Sequence, residues 1–279
     1  MLRERVVTAL VLLAGFLAML FLLPFSGWLI FASLIVGVGA WEWGGLMKLS
    51  ASGRWGYAFA LSAFCAGLGW FIFELDMGTV RRAEVLSVLF VLSLIFWLAA
   101  VPLWLKAKWP TSARLPGLLA GGLVLIPACL ALMQLRAFAP LFLLAAVASV
   151  SVADIAAYVC GRLLGRHKLA PVISPGKTWE GAAGAMAGVL IYGVAAAVAF
   201  GRIPGTAGAW LLFLLGLVVL TVVSILGDLF ESLVKRQAGR KNSGTILPGH
   251  GGLLDRIDSL TSTLPLIGLA VLAWEASAP

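Results

Sequence analysis

The residues best suited to chemistry in this 279-residue chain lie in two short polar segments, 154–182 and 227–258. Together these segments hold 15 of the 32 charged side chains and both histidines. If a helix continues into the second segment, four polar residues recur on one of its faces: Asp228, Glu231, Ser232 and Lys235. Asp255 and Asp258 share a helix face in the same way. Carboxylates on facing helix ends suit magnesium, which takes one or two of them and completes its coordination with water and phosphate oxygens.

Basic residues and glycines lie between these carboxylates and suit phosphate oxygens. The basic residues are Lys235, Arg236, Arg240 and Lys241. The turn at 249–252, which contains His250, lets backbone N–H groups approach an anion closely. A helix that begins near Leu253 would direct its positive end toward that anion. Carboxylates for a metal, cations for phosphate and a glycine cradle together predict phosphoryl or nucleotidyl transfer.

Each of these features also has a simpler interpretation. The basic cluster alone would mark the cytosolic side of a membrane protein. The glycine turn alone would be a tight reversal with a solvated histidine, and Asp228 and Glu231 alone would be ordinary helix-end carboxylates. Their concentration within one segment of 32 residues favours a site.

The first segment offers further phosphate-binding candidates around Lys177 and Thr178. The tripeptide at 176–178 resembles the end of a P-loop, but a proline stands where that motif requires its first glycine, so a P-loop is excluded. Ser174 and Glu180 suit substrate binding or, as the alternative, the capping of a helix start.

The elements that must position these residues are membrane-spanning helices. The chain is 62% hydrophobic and 11% charged, whereas soluble domains carry about 25% charged residues. A water-soluble enzyme, a disordered chain and a disulfide scaffold are therefore excluded. Because lipid offers the backbone no hydrogen-bond partner, the spans must be helical, which predicts an all-α bundle. The nine predicted spans are 6–23, 27–46, 57–73, 85–104, 116–134, 140–159, 183–200, 209–226 and 259–275.

The distribution of basic residues predicts the orientation of this bundle. With nine spans, 16 of the 20 lysines and arginines fall on the side of the N-terminus, which places the N-terminus in the cytosol and the C-terminus outside. We expect one membrane domain over 1–279, with N-terminal spans in 1–150 and a catalytic region in 151–265. The net charge of +8 then reflects topology and a phosphate site, and not a nucleic-acid partner. Asp154, at the sixth span, should have a partner or a metal, because an unpaired carboxylate costs roughly 2.5–3.5 kcal/mol there.

Two motifs carry a resemblance to the phosphatidate cytidylyltransferase (CDP-diacylglycerol synthase) family. The longer one reads Ser232-x-x-Lys235-Arg236, Lys241, Pro248-x-His250-Gly251-Gly252-x-x-Asp255-Arg256-x-Asp258. The second reads Ser174-Pro175-x-Lys177-Thr178-x-Glu180-Gly181. The match is dense over 150–265 and looser at Leu2-x-x-Arg5 and Trp41-Glu42-Trp43. It departs at Asn242, where the family usually has aspartate.

The resemblance implies that CTP and phosphatidate react to give CDP-diacylglycerol and pyrophosphate, at the cytosolic side of a bacterial inner membrane and in a homodimer. It implies Mg²⁺ on Asp228 and Asp255, with Asp258 and Glu231 as further candidate ligands and K⁺ as a candidate monovalent ion. The catalytic set would be Asp228, Asp255, Lys235, Arg236 and His250. The substrate-binding set would be Ser174, Lys177, Thr178, Glu180, Ser232, Lys241, Gly251, Gly252 and Arg256. Among these residues, Arg256 would meet the lipid phosphate.

Three alternatives compete with the interpretation as a phosphatidate cytidylyltransferase. The first is a CTP-dependent enzyme that acts on another membrane lipid, such as a polyprenol or an ether lipid. The second is an ion-coupled transporter, for which charges should lie near mid-span and in both halves of the chain, whereas Glu42 is the only other span carboxylate well away from the two segments and the termini. The third, suggested by Asn242, is a scaffold without activity. CDP-alcohol phosphotransferases are disfavoured because their spaced aspartate pattern is missing.

Overall fold

A computed structural model describes residues 2–75, 78–110, 114–249 and 251–277. The helices are α1 (Leu2–Leu22), α2 (Phe25–Leu46), α3 (Ala51–Phe73), α4 (Thr79–Ile95), α5 (Val101–Ala107), α6 (Arg114–Phe138), α7 (Pro140–Leu164), α8 (Trp179–Ala199), α9 (Ala207–Gln237) and α10 (Leu254–Ser277). A π-helical turn, Phe96–Ala100, joins α4 to α5. Two short antiparallel strands, β1 (Lys168–Ala170) and β2 (Ser174–Thr178), form a hairpin between α7 and α8.

The predicted helical membrane bundle is confirmed, and each predicted span overlaps one of these helices. In the described part of the chain, eight helical stretches are long and apolar enough to cross a membrane, with α4, the π turn and α5 counting as one. The described apolar part of α1, Val7–Leu22, is shorter. The hairpin was not predicted, because two strands of three and five residues are too short to show a periodic pattern.

Much of the two polar segments proves to be helical. In the first, α7 runs to Leu164 and α8 begins at Trp179, so that the hairpin and its flanks fill the gap. In the second, α9 continues to Gln237, and only 238–253 separates it from α10. The extension of α9 forms because Leu229, Phe230, Leu233 and Val234 are buried in the bundle although charged residues surround them in sequence. Asp228 and its polar neighbours therefore lie on a rigid helix.

Close contact between α7 and α8 holds the hairpin against the bundle. A Cβ atom at Gly184 would lie 2.5 Å from Sγ of Cys160, and one at Gly181 would lie 2.9 Å from the carbonyl oxygen of Ala157. Such small residues let membrane helices approach each other closely. Thr178 caps the start of α8, since its Oγ1 accepts a hydrogen bond from the Gly181 amide at 3.1 Å.

Four aromatic rings surround Phe230 on the side of α9 that faces away from the polar residues. Their ring centroids lie 5.4–6.2 Å from that of Phe230, and they belong to Trp43, Phe96, Trp97 and Trp104. The π turn contributes two of the rings. Phe230 is 1% exposed, so α2, the π turn and α5 together fix the polar end of α9.

Phe230→Ala is expected to lower the free energy of unfolding by about 3–5 kcal/mol, because it leaves a cavity among these rings. SDS titration of the purified protein in mixed micelles measures the change. Phe59→Ala, at a side chain that is 76% exposed on α3, is the matched control. Equal destabilisation by the two substitutions would contradict the packing role.

Candidate active site

Asp228 and Lys177 join the two polar segments directly. Nζ of Lys177, on β2, lies 2.6 Å from Oδ2 of Asp228, on α9. Oδ1 of the same carboxylate accepts a hydrogen bond from Oγ of Ser232 at 3.2 Å, one helical turn further along. Both members of the ion pair are partly exposed, at 23% for Lys177 and 32% for Asp228. The pair therefore stays accessible to a ligand.

Asp255, in the first turn of α10, has a fully engaged carboxylate. Its Oδ1 accepts from Nζ of Lys235 at 2.7 Å, and its Oδ2 accepts from the amides of Ser243 at 3.0 Å and Gly252 at 2.8 Å. Lys235 also lies 3.5 Å from Oε1 of Glu231. Lys235 thus links α9 to α10, and the glycine-rich turn wraps around the carboxylate of Asp255.

Three further carboxylates complete the acidic cluster: Glu231, Asp258 and Asp154. Glu231 is buried, and neither of its side-chain oxygens accepts a hydrogen bond from the described residues. Oδ1 of Asp258 accepts a hydrogen bond from the amide of the next residue, Ser259, at 2.8 Å. Asp154, on α7, lies within electrostatic range of Asp228, Lys177 and Arg256. Acidic side chains from α7, α9 and α10 therefore converge on one end of the bundle.

The donor set fits a hard cation that shares its coordination with a ligand. In the described ranges, no three acidic, histidine or cysteine side chains meet closely enough to hold an ion by themselves. Magnesium does not require such a cage, since one or two carboxylates, water and phosphate oxygens suffice. Lys235 lies 3.5 Å from Oε1 of Glu231, but no hydrogen-bond donor of the described residues reaches either oxygen of this buried carboxylate, so both oxygens are available as ligands of a cation.

Two cavities open beside these residues. One of about 420 Å³ lies between α7, α8, α9, α10 and the hairpin and has mostly apolar walls. Its polar lining side chains include Asp154, Tyr158, Ser174, Lys177, Thr178 and Ser259. The other, of about 670 Å³, is lined by Lys241, Asn242, Pro248, Gly251 and Arg256. Both volumes lie in the range of small-molecule sites.

Nearly the whole length of the chain matches one protein family. Residues 3–274 match the sequence model described as the cytidylyltransferase family. The chain belongs to this family. Phosphatidate cytidylyltransferase of Pseudomonas aeruginosa is 39% identical, over 99% of this chain and 98% of that protein. The protein of the same name from Haemophilus influenzae is 36% identical, over 95% of this chain and 96% of its own length. The resemblance drawn from the two motifs is confirmed.

The predicted site residues of the chain fall into three groups. Those at the carboxylates or cavities are Asp228, Glu231, Ser232, Lys235, Lys241, Gly251, Gly252, Asp255, Arg256, Asp258, Ser174, Lys177 and Thr178. Those that brace the hairpin are Arg236 and Glu180: Nε of Arg236 donates to the Ile173 carbonyl at 3.4 Å, and Oε1 of Glu180 lies 2.7 Å from Nδ1 of His167. His250 lies outside the described residues. The capping function considered for Ser174 belongs to Thr178.

Glu42 is a member of the site that sequence reasoning missed. It lies on α2, is fully buried and contacts the segment that carries Asp255. The sequence did indicate that Glu42 has a function, because a carboxylate inside an apolar span costs free energy and is usually functional. The sequence does not show which distant segment satisfies it. The sequence left Glu42 as a lone span carboxylate away from the two polar segments, whereas the structure joins it to the polar end of the bundle.

Proposed function

We propose that this chain transfers the cytidylyl group of CTP to phosphatidate, giving CDP-diacylglycerol and pyrophosphate. The observation that carries the proposal is the 39% identity to a phosphatidate cytidylyltransferase over 98% of its length. The convergence of acidic and basic side chains beside two cavities supports it, because nucleotidyl transfer between two anions requires charge neutralisation and alignment more than a strong base.

In the proposed reaction, a phosphate oxygen of phosphatidate forms a bond to the α-phosphorus of CTP. The bond between the α-phosphorus and the oxygen that bridges to the β-phosphorus breaks. The electron pair leaves with pyrophosphate. Lys177 donates to Asp228 and retains two N–H groups for phosphate oxygens. Lys241 and Arg256 line the other cavity and offer further donors to the triphosphate and the lipid phosphate. Asp228 and Asp255 would hold Mg²⁺, which when bound would neutralise charge on the triphosphate.

We also infer the setting of this reaction. The excess of basic residues on one side supports a cytosolic N-terminus and an active site that faces the cytosol. With relatives in two bacteria, the bacterial inner membrane is the proposed location. On the family resemblance alone, we further propose that residues 151–265 form the catalytic region, that K⁺ is a second bound ion and that the chain assembles as a homodimer.

The test is an assay of the purified protein in micelles with CTP labelled at the α-phosphate. With phosphatidate and Mg²⁺ we expect a labelled lipid and one pyrophosphate for each CTP consumed, and neither product when phosphatidate is omitted or EDTA removes the metal. Polyprenyl phosphate and an ether-linked phosphatidate serve as competing acceptors. A preference for either would support the alternative lipid substrate, and no product with any acceptor would support the inactive scaffold.

A further inference from the structure

Glu42 binds three groups of one segment that lies far away in sequence. Its Oε1 accepts a hydrogen bond from the amide of Leu253 at 3.0 Å. Its Oε2 accepts from the amide of Leu254 at 2.9 Å and from Oγ of Ser243 at 3.0 Å. We propose that Glu42 is a positioning residue for the active site, and that its carboxylate fixes residues 242–249 and 251–254, called the glycine segment below. This inference rests on the proposed function.

The glycine segment connects Glu42 to Asp255. The amide of Ser243 donates to Oδ2 of Asp255, while the hydroxyl of the same residue donates to Glu42. Ser243 is 1% exposed and is thus held by a carboxylate on each side, one from α2 and one from α10. The amide of Gly252 donates to the same oxygen of Asp255. A shift of the segment would therefore change the hydrogen bonds of Asp255 directly.

Two glycines make room for the Glu42 carboxylate. A Cβ atom at Gly244 would lie 2.5 Å from Oε1, and one at Gly252 would lie 2.5 Å from Oε2. Any larger residue at either position would displace the carboxylate or the backbone around it. The glycines of this segment thus have a function besides the approach to an anion: they admit a buried carboxylate against the start of α10.

The charge of Glu42 matches its surroundings. Its oxygens receive backbone N–H groups at the start of α10, where the helix dipole favours negative charge. Arg54 lies within electrostatic range; its guanidinium stacks 3.5 Å from the ring centroid of Trp41, and its Nε donates to the Trp41 carbonyl. The carboxylate is therefore stabilised in a fully buried position by hydrogen bonds and by positive charge.

Glu42→Gln preserves the size of the side chain but cannot preserve these contacts. An amide has one acceptor oxygen, and its NH₂ group can only donate to the backbone. One orientation places NH₂ against the amide of Leu253, and the other places it against that of Leu254. Either orientation leaves an N–H group of the first turn of α10 without an acceptor, so the glycine segment should loosen.

The experiment combines hydrogen–deuterium exchange with steady-state kinetics on the full-length protein. In Glu42→Gln we expect faster exchange in the glycine segment and unchanged exchange in the β1–β2 hairpin. Loss of a group that orients active-site ligands typically costs about 10–100-fold, so kcat/KM for CTP should fall by about that factor.

Two further variants keep the inference falsifiable. Ser243→Ala removes one of the three hydrogen bonds of Glu42 and retains the charge of Glu42. Exchange in the glycine segment should be faster in this variant too, so it tests the inference even if Glu42→Gln does not fold. Glu74→Gln, at an exposed carboxylate after α3, is the matched control and should behave as wild type. Unchanged exchange in both site variants, equal acceleration in the hairpin, or faster local exchange with unchanged CTP kinetics would each overturn the inference. If wild type forms no CDP-diacylglycerol, the proposed function fails, and exchange alone decides the positioning by Glu42.

Discussion

Asp255→Asn is expected to lower kcat for CDP-diacylglycerol formation by about 10²–10³-fold, the loss typical when one preorganised electrostatic group is removed. Oδ1 of Asp255 receives Nζ of Lys235, and Oδ2 receives the amides of Ser243 and Gly252. Because both oxygens receive donors, the NH₂ group of asparagine would face a donor in either orientation. The substitution also leaves Lys235, whose side chain is 12% exposed, without its closest anion.

The same substitution should affect stability, and the two effects can be separated. Removal of one partner from a buried ion pair costs about 3–5 kcal/mol. We therefore expect a lower Tm in micelles, with catalysis still impaired at temperatures where the variant remains folded. Glu84→Gln, at an exposed carboxylate on α4, is the control for both measurements. A folded Asp255→Asn variant with the kcat of wild type would rule out a function for this carboxylate in the reaction.

The helical bundle could be predicted from the sequence because a membrane constrains each spanning segment in a way that is recognisable along the chain. Every spanning segment must be long, apolar and helical, so hydropathy alone places the helices. The sequence also predicted that Asp228, Ser232 and Lys235 share one face of a helix. This prediction holds because α9 continues through these residues. Helical periodicity requires only local information.

The contacts across the site could not be predicted, because they join residues that are distant in sequence. Lys177 meets Asp228 only through the hairpin, which is too short to have a recognisable pattern. Glu42 lies 201 residues from Ser243, and nothing in either local sequence indicates the other. The motifs identified the residue types, whereas their pairing depends on how α2, α9 and α10 pack.

Lys177→Met is expected to lower kcat/KM for CTP by about 10²-fold, because misplacement of a substrate-positioning group costs that much, while the Tm changes little. The ion pair with Asp228 is partly exposed at both ends, and exposed pairs stabilise by about 1 kcal/mol or less. A large kinetic loss with a small thermal shift would therefore assign Lys177 to substrate binding and not to folding. Lys168→Met, at an exposed lysine on β1 of the same hairpin, controls for the loss of a positive charge. Equal activities of the two variants would show that the position of Lys177 beside Asp228 has no part in the reaction.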